Sequence, residues 1–240
     1  MILLAIDTCD TRGSLALLHD DEVARFVSQD TREDYSTWLL PAVTEILRES
    51  RVSMEQVEVY AVATGPGSFT GVRVGLTTVK AWGEVYRRRI AAVSRLEAVA
   101  AQAEAHVTDE LVAASTDAQR GQIFGALYRN KEGKLEPVEE EQVIAPGEFV
   151  GWVAKRSGEE RVTWVSTDPE RITGEEAWVA HEKRGEKIER VSPILAPMIG
   201  RIGYRMAKEN RLIDALQLDA NYVRRSDADV FWKDEAARAR

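Results

Sequence analysis

The chain carries one glycine-rich run, Gly65-Pro66-Gly67-Ser68-Phe69-Thr70-Gly71-Val72-Arg73-Val74-Gly75. The apolar segment 57–63 before it predicts a buried strand, and the residues from Thr70 to about Arg87 after it predict a helix. The local order is therefore strand, glycine loop, helix. Backbone amides at the start of such a helix favour anions. However, no Gly-Lys-Ser/Thr follows and the glycine spacing does not match the dinucleotide fingerprint, so the run alone is weak evidence for nucleotide binding.

The helix after the loop is apolar on two sides. Val72 and Leu76 lie on one side, whereas Val74, Trp82 and Val85 lie far round the other. Two apolar sides call for two neighbours, which indicates a partner surface. A helix buried wholly within its own lobe is the alternative, and the spacing leaves both open.

Two glycines of the run, Gly71 and Gly75, lie one helical turn apart between those two sides. Small residues let a neighbouring helix approach closely. We therefore expect them to clear space for a partner helix, so that arginine at either position would block pairing without unfolding the protein.

The composition is typical of a globular protein: of 240 residues, 44% are hydrophobic and 30% are charged. No apolar stretch approaches the ~18 residues of a membrane-spanning helix, and the apolar opening stops at Asp7, too early for a signal peptide. The single cysteine, Cys9, allows no intrachain disulfide. We therefore expect a cytoplasmic protein with no membrane partner. The net charge of −8 argues against an autonomous nucleic-acid binder.

Strand patterns occur twice in the same layout. Residues 2–6 and 15–18 predict a hairpin with a third strand after it, and residues 111–115 and 123–128 restart the pattern. No sequence repeat is visible. The pattern nevertheless favours a duplicated α/β architecture.

Each half opens with a strand that ends in an acid, Asp7 in the first and Asp117 in the second. We place the N-terminal lobe, which carries the partner surface, at residues 1–106 and the C-terminal lobe at residues 107–240. A late helix near 197–210 is expected to pack back on the N-terminal lobe.

The segment before the glycine run predicts an amphipathic helix that extends from Asp30 or Thr31 to about Arg48. Thr31 is a plausible cap. Because Pro41 lies inside the pattern, the helix either begins near Ser36 or kinks at the proline.

Four blocks of the sequence together resemble the TsaB (YeaZ) family. They are Ile2-Leu3-Leu4-Ala5-Ile6-Asp7-Thr8, the glycine-rich run, Asp117-Ala118-Gln119-Arg120-Gly121-Gln122-Ile123-Phe124 and Asn221-Tyr222-Val223-Arg224. The blocks lie in the family's order and span nearly the whole chain. The glycine-rich block is highly specific, whereas the other three are individually modest.

The resemblance implies an α/β fold of two lobes of the actin-like, Hsp70-like or sugar-kinase-like (ASKHA) kind, each lobe a mixed sheet flanked by helices. It also implies a role as a non-catalytic paralogue and partner of TsaD, which carries the metal and transfers a threonylcarbamoyl group to the adenosine next to the anticodon of tRNA. The chain would then be no enzyme by itself but a subunit of a tRNA-modifying threonylcarbamoyltransferase complex.

The resemblance also implies partners and cofactors. We expect a TsaD-like subunit, a TsaE-like ATPase that joins the pair, and contact with tRNA through the complex. The chain alone is expected to bind no cofactor, with ATP and metal in the partner subunits. An exposed apolar surface makes a homodimer the expected state in isolation.

The family's pairing surface maps to the two helices at about Thr37–Arg48 and Thr70–Arg87. The expected interface residues are Trp38, Leu39, Thr70, Gly71, Arg73, Val74, Gly75, Leu76, Thr78 and Trp82. Before Pro41 many members carry a histidine close to Arg-Glu, whereas this chain has Tyr35 and Trp38. These aromatic residues are either anchors for the partner or ordinary core residues.

The alternative function is that of an ATP-using phosphotransferase of the actin-like superfamily. Such an enzyme would use Asp7 and Asp117 for magnesium binding and base catalysis, although an aspartate at a strand end commonly caps neighbouring amides instead. A metallopeptidase or TsaD-like metal site needs two histidines at helical spacing. The three histidines, His19, His106 and His181, are isolated, so no metal site is expected.

Overall fold

The fold comes from a computed structural model that describes residues 1–29, 34–103 and 110–223. Four features expected from the sequence lie outside the described residues: the helix cap at Thr31, the boundary between residues 106 and 107, His106 and Arg224. The division into lobes at that boundary therefore stays a prediction.

The first sheet contains five strands in the order β3-β2-β1-β4-β5. Their bounds are Ile2–Asp7 (β1), Ser14–His19 (β2), Glu22–Ser28 (β3), Val59–Ala63 (β4) and Arg89–Val93 (β5). The first three strands form an antiparallel meander, and β4 and β5 add to β1 in parallel. Strands β1, β2 and β4 read as near-continuous apolar runs because both faces of the sheet are covered there, whereas the edge strand β3 is largely exposed.

The second sheet repeats this connectivity in the order β11-β10-β6-β7-β8, with β9 paired to β7. Its strands are Leu111–Asp117 (β6), Ile123–Lys131 (β7), Lys134–Pro137 (β8), Gln142–Ile144 (β9), Val162–Ser166 (β10) and Ile188–Arg190 (β11). Strands β6, β7 and β8 form the meander, and β10 and β11 are parallel to β6. The two-lobed α/β fold expected from the sequence is therefore confirmed.

Seven α-helices of the described residues cover these sheets. They are Tyr35–Ser50 (α1), Phe69–Tyr86 (α2), Arg95–Ala100 (α3), Pro146–Ser157 (α4), Glu170–Thr173 (α5), Val179–Lys183 (α6) and Ala196–Lys208 (α7). Helix α1 begins next to Ser36 and continues through Pro41, in agreement with the later of the two expected starts. In the described part of the chain, no helix has the length and apolar character that a bilayer span requires.

Adjacent residues of β4 show how the helices sit on the first sheet. A Cβ atom on Gly75 of α2 would lie 3.7 Å from Val62, whereas one on Gly203 of α7 would lie 2.7 Å from Ala61. Neighbouring residues of a strand point to opposite faces. Helices α2 and α7 therefore cover opposite faces of the first sheet.

The second sheet packs against the helices that cover one face of the first sheet. Helix α3 contacts β6, β7 and α7, so α3 and α7 lie between the two sheets. On the far face of the second sheet, Leu127 and Trp164 form a separate core with Phe149 of α4. The layers thus run helix, sheet, helix, sheet, helix.

Helix α2 approaches the first sheet so closely that its glycines are required. A Cβ atom on Gly71 would lie 2.0 Å from the carbonyl oxygen of Thr8, and one on Gly75 would lie 2.6 Å from the Thr8 hydroxyl oxygen. The Thr8 hydroxyl donates a 2.7 Å hydrogen bond to the carbonyl oxygen of Gly71. The expectation that these glycines clear space for a partner helix is therefore wrong, because the space is taken by the end of β1.

The carboxylate of Glu141 joins the two halves of the molecule. It accepts hydrogen bonds from Ser94 at the start of α3, from Tyr128 of β7 at 3.0 Å and from the amide of Asn221 at 2.6 Å. Burial raises the pKa of Glu141. Three distant segments thus share one half-buried acceptor, which fixes their relative positions.

The Gly71→Ala variant tests the contact between α2 and β1. We expect the free energy of unfolding to fall by about 3 kcal/mol, because the added methyl group meets backbone that cannot rotate away. Urea denaturation measures the change. The control is Gly151→Ala on α4, where nothing lies within 4 Å of the new methyl group, with an expected gain of about 0.5–1 kcal/mol. A Gly71→Ala variant as stable as the wild type would refute the contact.

Glu141→Ala tests the junction between the halves. Three donors lose their acceptor, the buried Tyr128 hydroxyl and the half-buried Ser94 and Asn221, so the free energy of unfolding should fall by about 2–3 kcal/mol. The matched control is Glu140→Ala, which removes the neighbouring, exposed carboxylate and should change stability by less than about 0.5 kcal/mol. Equal thermal midpoints for the two variants would contradict a joining role for Glu141.

Candidate functional site

A cleft of about 860 Å³ opens where β1 and β6 end. Its walls are formed by the turn after β1 (residues 9–11), the glycine loop (66–69), the turn after β6 (117–120) and the C-terminal segment 221–223. Equivalent ends of the two repeated sheets therefore face one cavity. Three of the four sequence blocks singled out by resemblance contribute to it.

At the floor of the cleft the buried guanidinium of Arg95 lies against two carboxylates. Its Nε donates to Asp7 at 3.4 Å, and one terminal nitrogen donates to Asp10 at 2.8 Å. Arg95 and Asp7 are 1% and 0% exposed, so both charges depend on each other rather than on water. Asp7 also accepts a 2.9 Å hydrogen bond from the backbone amide of Cys9.

These contacts shift the pKa values of Arg95 and Asp10 at the cleft floor. Burial alone would lower the pKa of Arg95, but Asp7 and Asp10 outweigh burial and raise it. Burial alone would raise the pKa of Asp10, but Arg95 and the hydrogen bonds from Thr11 together outweigh burial and lower it. Arg95 and Asp10 are therefore both charged at neutral pH. Burial raises the pKa of the Cys9 thiol well above its usual range, which disfavours the reactive thiolate.

The second strand-end acid, Asp117, lies on the opposite wall of the cleft. Its carboxylate accepts from the backbone amide of Gln119 at 2.8 Å and from the Gln119 side chain at 3.0 Å. Arg171 donates to it at 2.7 Å. Both acids expected from the sequence thus cap a turn and bind an arginine.

The C-terminal segment closes one side of the cleft over the start of α2. The backbone nitrogen of Asn221 donates to the carbonyl oxygen of Thr64 at 2.8 Å. The Tyr222 ring lies 5.2 Å from the Phe69 ring, and Arg73 donates to the Tyr222 hydroxyl at 3.0 Å while its guanidinium lies 3.6 Å above Phe69. Gly65, at φ +112°, lets the loop pass beneath this segment.

Four of the ten residues expected at a partner surface are buried in the chain's own core. Leu39 and Leu76 are 1% and 5% exposed, and Gly71 and Gly75 face Thr8. They cannot contact a partner directly, because helices α1 and α2 turn these positions toward the first sheet.

The other six expected residues reach the surface. Thr70 and Arg73 are exposed, and the half-buried ones are Trp38, Val74, Thr78 and Trp82. Trp38 and Trp82 also pack against the core, and Trp82 lies 5.6 Å from the ring of Tyr60. Tyr35 contacts Trp38 edge-on and donates to the backbone of Asp10, so the changed stretch before Pro41 serves the core as well as the surface.

The sequence reasoning missed Asp10, Arg95 and Arg171 at the site and Glu141, which bonds to Asn221 of the cleft wall. Of these, only Arg95 carried a signal. Arg95 is the first residue of α3, where the helix dipole disfavours a cation unless acids lie nearby. The partners of Glu141 lie up to 80 residues away, and no local pattern marks them.

Metal-binding side chains do not converge anywhere in the described residues, where no group of three or more His, Cys, Asp or Glu could hold an ion. Of the two described histidines, His181 bonds to Glu186 at 2.9 Å and stacks on Trp178.

Comparison with known proteins identifies relatives. A family model described as TsaD, tRNA N6-adenosine threonylcarbamoyltransferase, matches residues 26–171. A Bacillus subtilis (strain 168) protein named tRNA threonylcarbamoyladenosine biosynthesis protein TsaB is 37% identical over 144 residues, which are 60% of this chain and 62% of the relative. The Escherichia coli (strain K12) protein of the same name is 29% identical over 237 residues, 97% of each chain. The first alignment thus spans less than two thirds of its relative, and the second nearly all.

Solved structures agree on the fold. A Pseudomonas aeruginosa protein described as similar to peptidase YeaZ has a TM-score of 0.70 at 24% identity, over 93% of this chain and 99% of that one. A ROK hexokinase from Thermus thermophilus has a TM-score of 0.53 at 12% identity, over 86% and 100%. Identities this low support the fold alone, whereas the family model and the related sequences support membership of a family. The chain belongs to the TsaB (YeaZ) family, within the broader family that the TsaD model describes.

Proposed function

We propose that the chain is the non-catalytic partner of a TsaD-type subunit in the transfer of a threonylcarbamoyl group to the adenosine next to the anticodon of tRNA. The biosynthetic role follows the names of its relatives. The structural feature that supports pairing with another protein is an exposed, uncharged side of α2.

Helical spacing places Thr70, Val74, Thr78, Ala81 and Val85 in one row along α2. Val85 is 72% exposed, Thr70 and Ala81 are exposed, and Val74 and Thr78 are half-buried. No charged residue interrupts this row over four turns. We call these five residues the α2 row.

The charged residues of α2 lie elsewhere on the helix. Arg73, Lys80 and Glu84 follow each other at spacings that place them together on a different side. An α-helix with a buried side, a charged side and an exposed apolar side is typical of a surface that another protein covers.

Helix α1 extends the same kind of surface. Leu40 is 55% exposed, Pro41 is exposed beside it, and Trp38 is half-buried. Apolar and aromatic anchors of this kind dominate the energy of protein interfaces. The occupant that the family favours is a TsaD-like subunit, and in its absence a second copy of this chain would cover the same row.

Further members of the assembly are also part of the proposal. A TsaE-like ATPase joins the pair, and the chain meets tRNA through the complex, in keeping with its net charge of −8. We propose that ATP and metal are bound by the partner subunits and that the protein works in the cytoplasm.

The non-catalytic status rests on how the cleft uses its acids. A kinase-like fold implies Mg²⁺ and ATP, held by carboxylates at the strand ends. Here Asp7 and Asp117 each bind an arginine, Arg95 and Arg171. These residues do not fit a magnesium–nucleotide site.

The phosphotransferase alternative would call for a glycine-rich adenosine-binding motif in the C-terminal half, where the segment 194–203 offers Gly200 and Gly203. Cβ atoms on Gly200 and Gly203 would lie 2.2 Å from Leu18 and 2.7 Å from Ala61. Both glycines therefore serve to bring α7 onto the first sheet.

Val85→Arg tests the pairing surface. Co-purification and calorimetric titration with the TsaD-type subunit of the same organism should show affinity lowered by about 30-fold or more, because a long cation replaces an apolar contact. Val85 is 72% exposed, so the fold should be unaffected. The matched control is Val179→Arg, an exposed valine on α6 far from the α2 row. Wild-type affinity in the Val85 variant would rule out this row as the contact.

ATP hydrolysis by the purified chain tests the non-catalytic status. We expect no turnover above the buffer blank with Mg²⁺ and ATP, because both acids are bound to arginines. Asp117→Asn serves as the comparison, since its side chain is 16% exposed and the variant should fold. Turnover that this variant abolishes would favour the phosphotransferase alternative.

A further inference from the structure

We infer that Arg95 takes the place of a bound divalent cation at the floor of the cleft, and that removing its guanidinium uncovers a magnesium site formed by Asp7 and Asp10. The inference concerns the cleft rather than the α2 row, so it stands or falls independently of the proposed pairing.

The geometry places one cation between two carboxylates. Arg95 donates from Nε to Asp7 and from a terminal nitrogen to Asp10, at 3.4 and 2.8 Å. Asp7 is fully buried and Asp10 is 30% exposed, so the pair spans the path from the interior to the cleft. One guanidinium therefore occupies the place between the two carboxyl groups that would hold a divalent ion.

The charges at the cleft floor also allow a divalent ion to replace the Arg95 guanidinium. Arg95 supplies one positive charge to two carboxyl groups, and the remaining oxygens accept hydrogen bonds from the backbone amides of Cys9 and Thr11. Guanidinium cannot lose its proton in a protein, so it is a permanent cation that no change of pH near neutrality removes. Mg²⁺ and Ca²⁺ bind carboxylate oxygens of this kind and carry the second positive charge as well.

The position of Arg95 agrees with a role as a built-in cation. It is the first residue of α3, where the helix dipole opposes a positive charge. Its backbone amide donates to the carbonyl oxygen of Gly65 at 2.7 Å, which ties the residue to the glycine loop. The acids, not the helix, account for a cation at this place.

The experiment compares thermal unfolding of the wild type and of Arg95→Ser in EDTA and in Mg²⁺. Serine leaves the two carboxylates without their cation, so the midpoint of the variant should fall in EDTA and rise by about 3–5 °C at saturating Mg²⁺. The wild type should show no Mg²⁺-dependent rise. Adding Asp10→Asn to the variant should abolish the rise.

Two controls separate a specific site from general effects of the ion. Arg171→Ser exposes the single acid Asp117 and should not respond to Mg²⁺. Arg95→Lys keeps a cation and should not respond either. A Mg²⁺-dependent rise in the wild type or in the lysine variant, or its absence in Arg95→Ser, would overturn the inference.

Arg95→Ser also gives an answer if it is unfolded without metal. Circular dichroism during titration with Mg²⁺ or Ca²⁺ should then show recovery of the native spectrum. No recovery with either ion would contradict a cation-for-cation exchange.

Discussion

The contact between the start of α2 and the end of β1 positions everything else at the cleft. Because Gly71 and Gly75 have no side chains, the helix comes close enough for Thr8 to bond to the Gly71 carbonyl oxygen at 2.7 Å. The amide of Ser68 then donates to Cys9 at 2.7 Å, which fixes the glycine loop beside the turn after β1. The loop in turn receives Arg95 on one side and the C-terminal segment on the other. A methyl group at one glycine would therefore disturb three segments at once.

The acidic residues of the cleft are paired with arginines of the same chain, Arg95 and Arg171. A buried ion pair adds little net stability over an apolar replacement, but removing one partner costs about 3–5 kcal/mol because the other charge is left unpaired. Arg95 with Asp7 and Asp10 is thus better understood as a constraint on geometry than as a source of stability. The triad and the shared acceptor Glu141 hold the segments around the cleft in one arrangement without a ligand.

The fold was predictable because its signals are local and repeated. A strand that ends in Asp7 or Asp117, a turn and a hairpin partner can be read from about twenty residues, and hydrophobic periodicity located α1 and α2. The glycines of α2 were misinterpreted because a sequence reveals that something approaches closely but not what approaches. Arg95 lies 88 positions from Asp7, and no pattern within one segment predicts such a pair. Long-range polar contacts depend on the whole topology, which is why the floor of the cleft was not foreseen.

Helix α2 connects the cleft to the proposed pairing surface, because its sides have different contacts. One side of the helix is committed to the sheet through its glycines, and a second places Arg73 against Phe69 and Tyr222 at the cleft mouth. The α2 row on the remaining side is the surface that we propose for pairing. Hinge closure around a ligand is a common way for two-lobed proteins to move, but here side chains of the chain itself join the segments that a ligand would join. A partner would then meet a surface that is already in place, and association would lose less free energy to ordering than it would with a surface that has to form on binding.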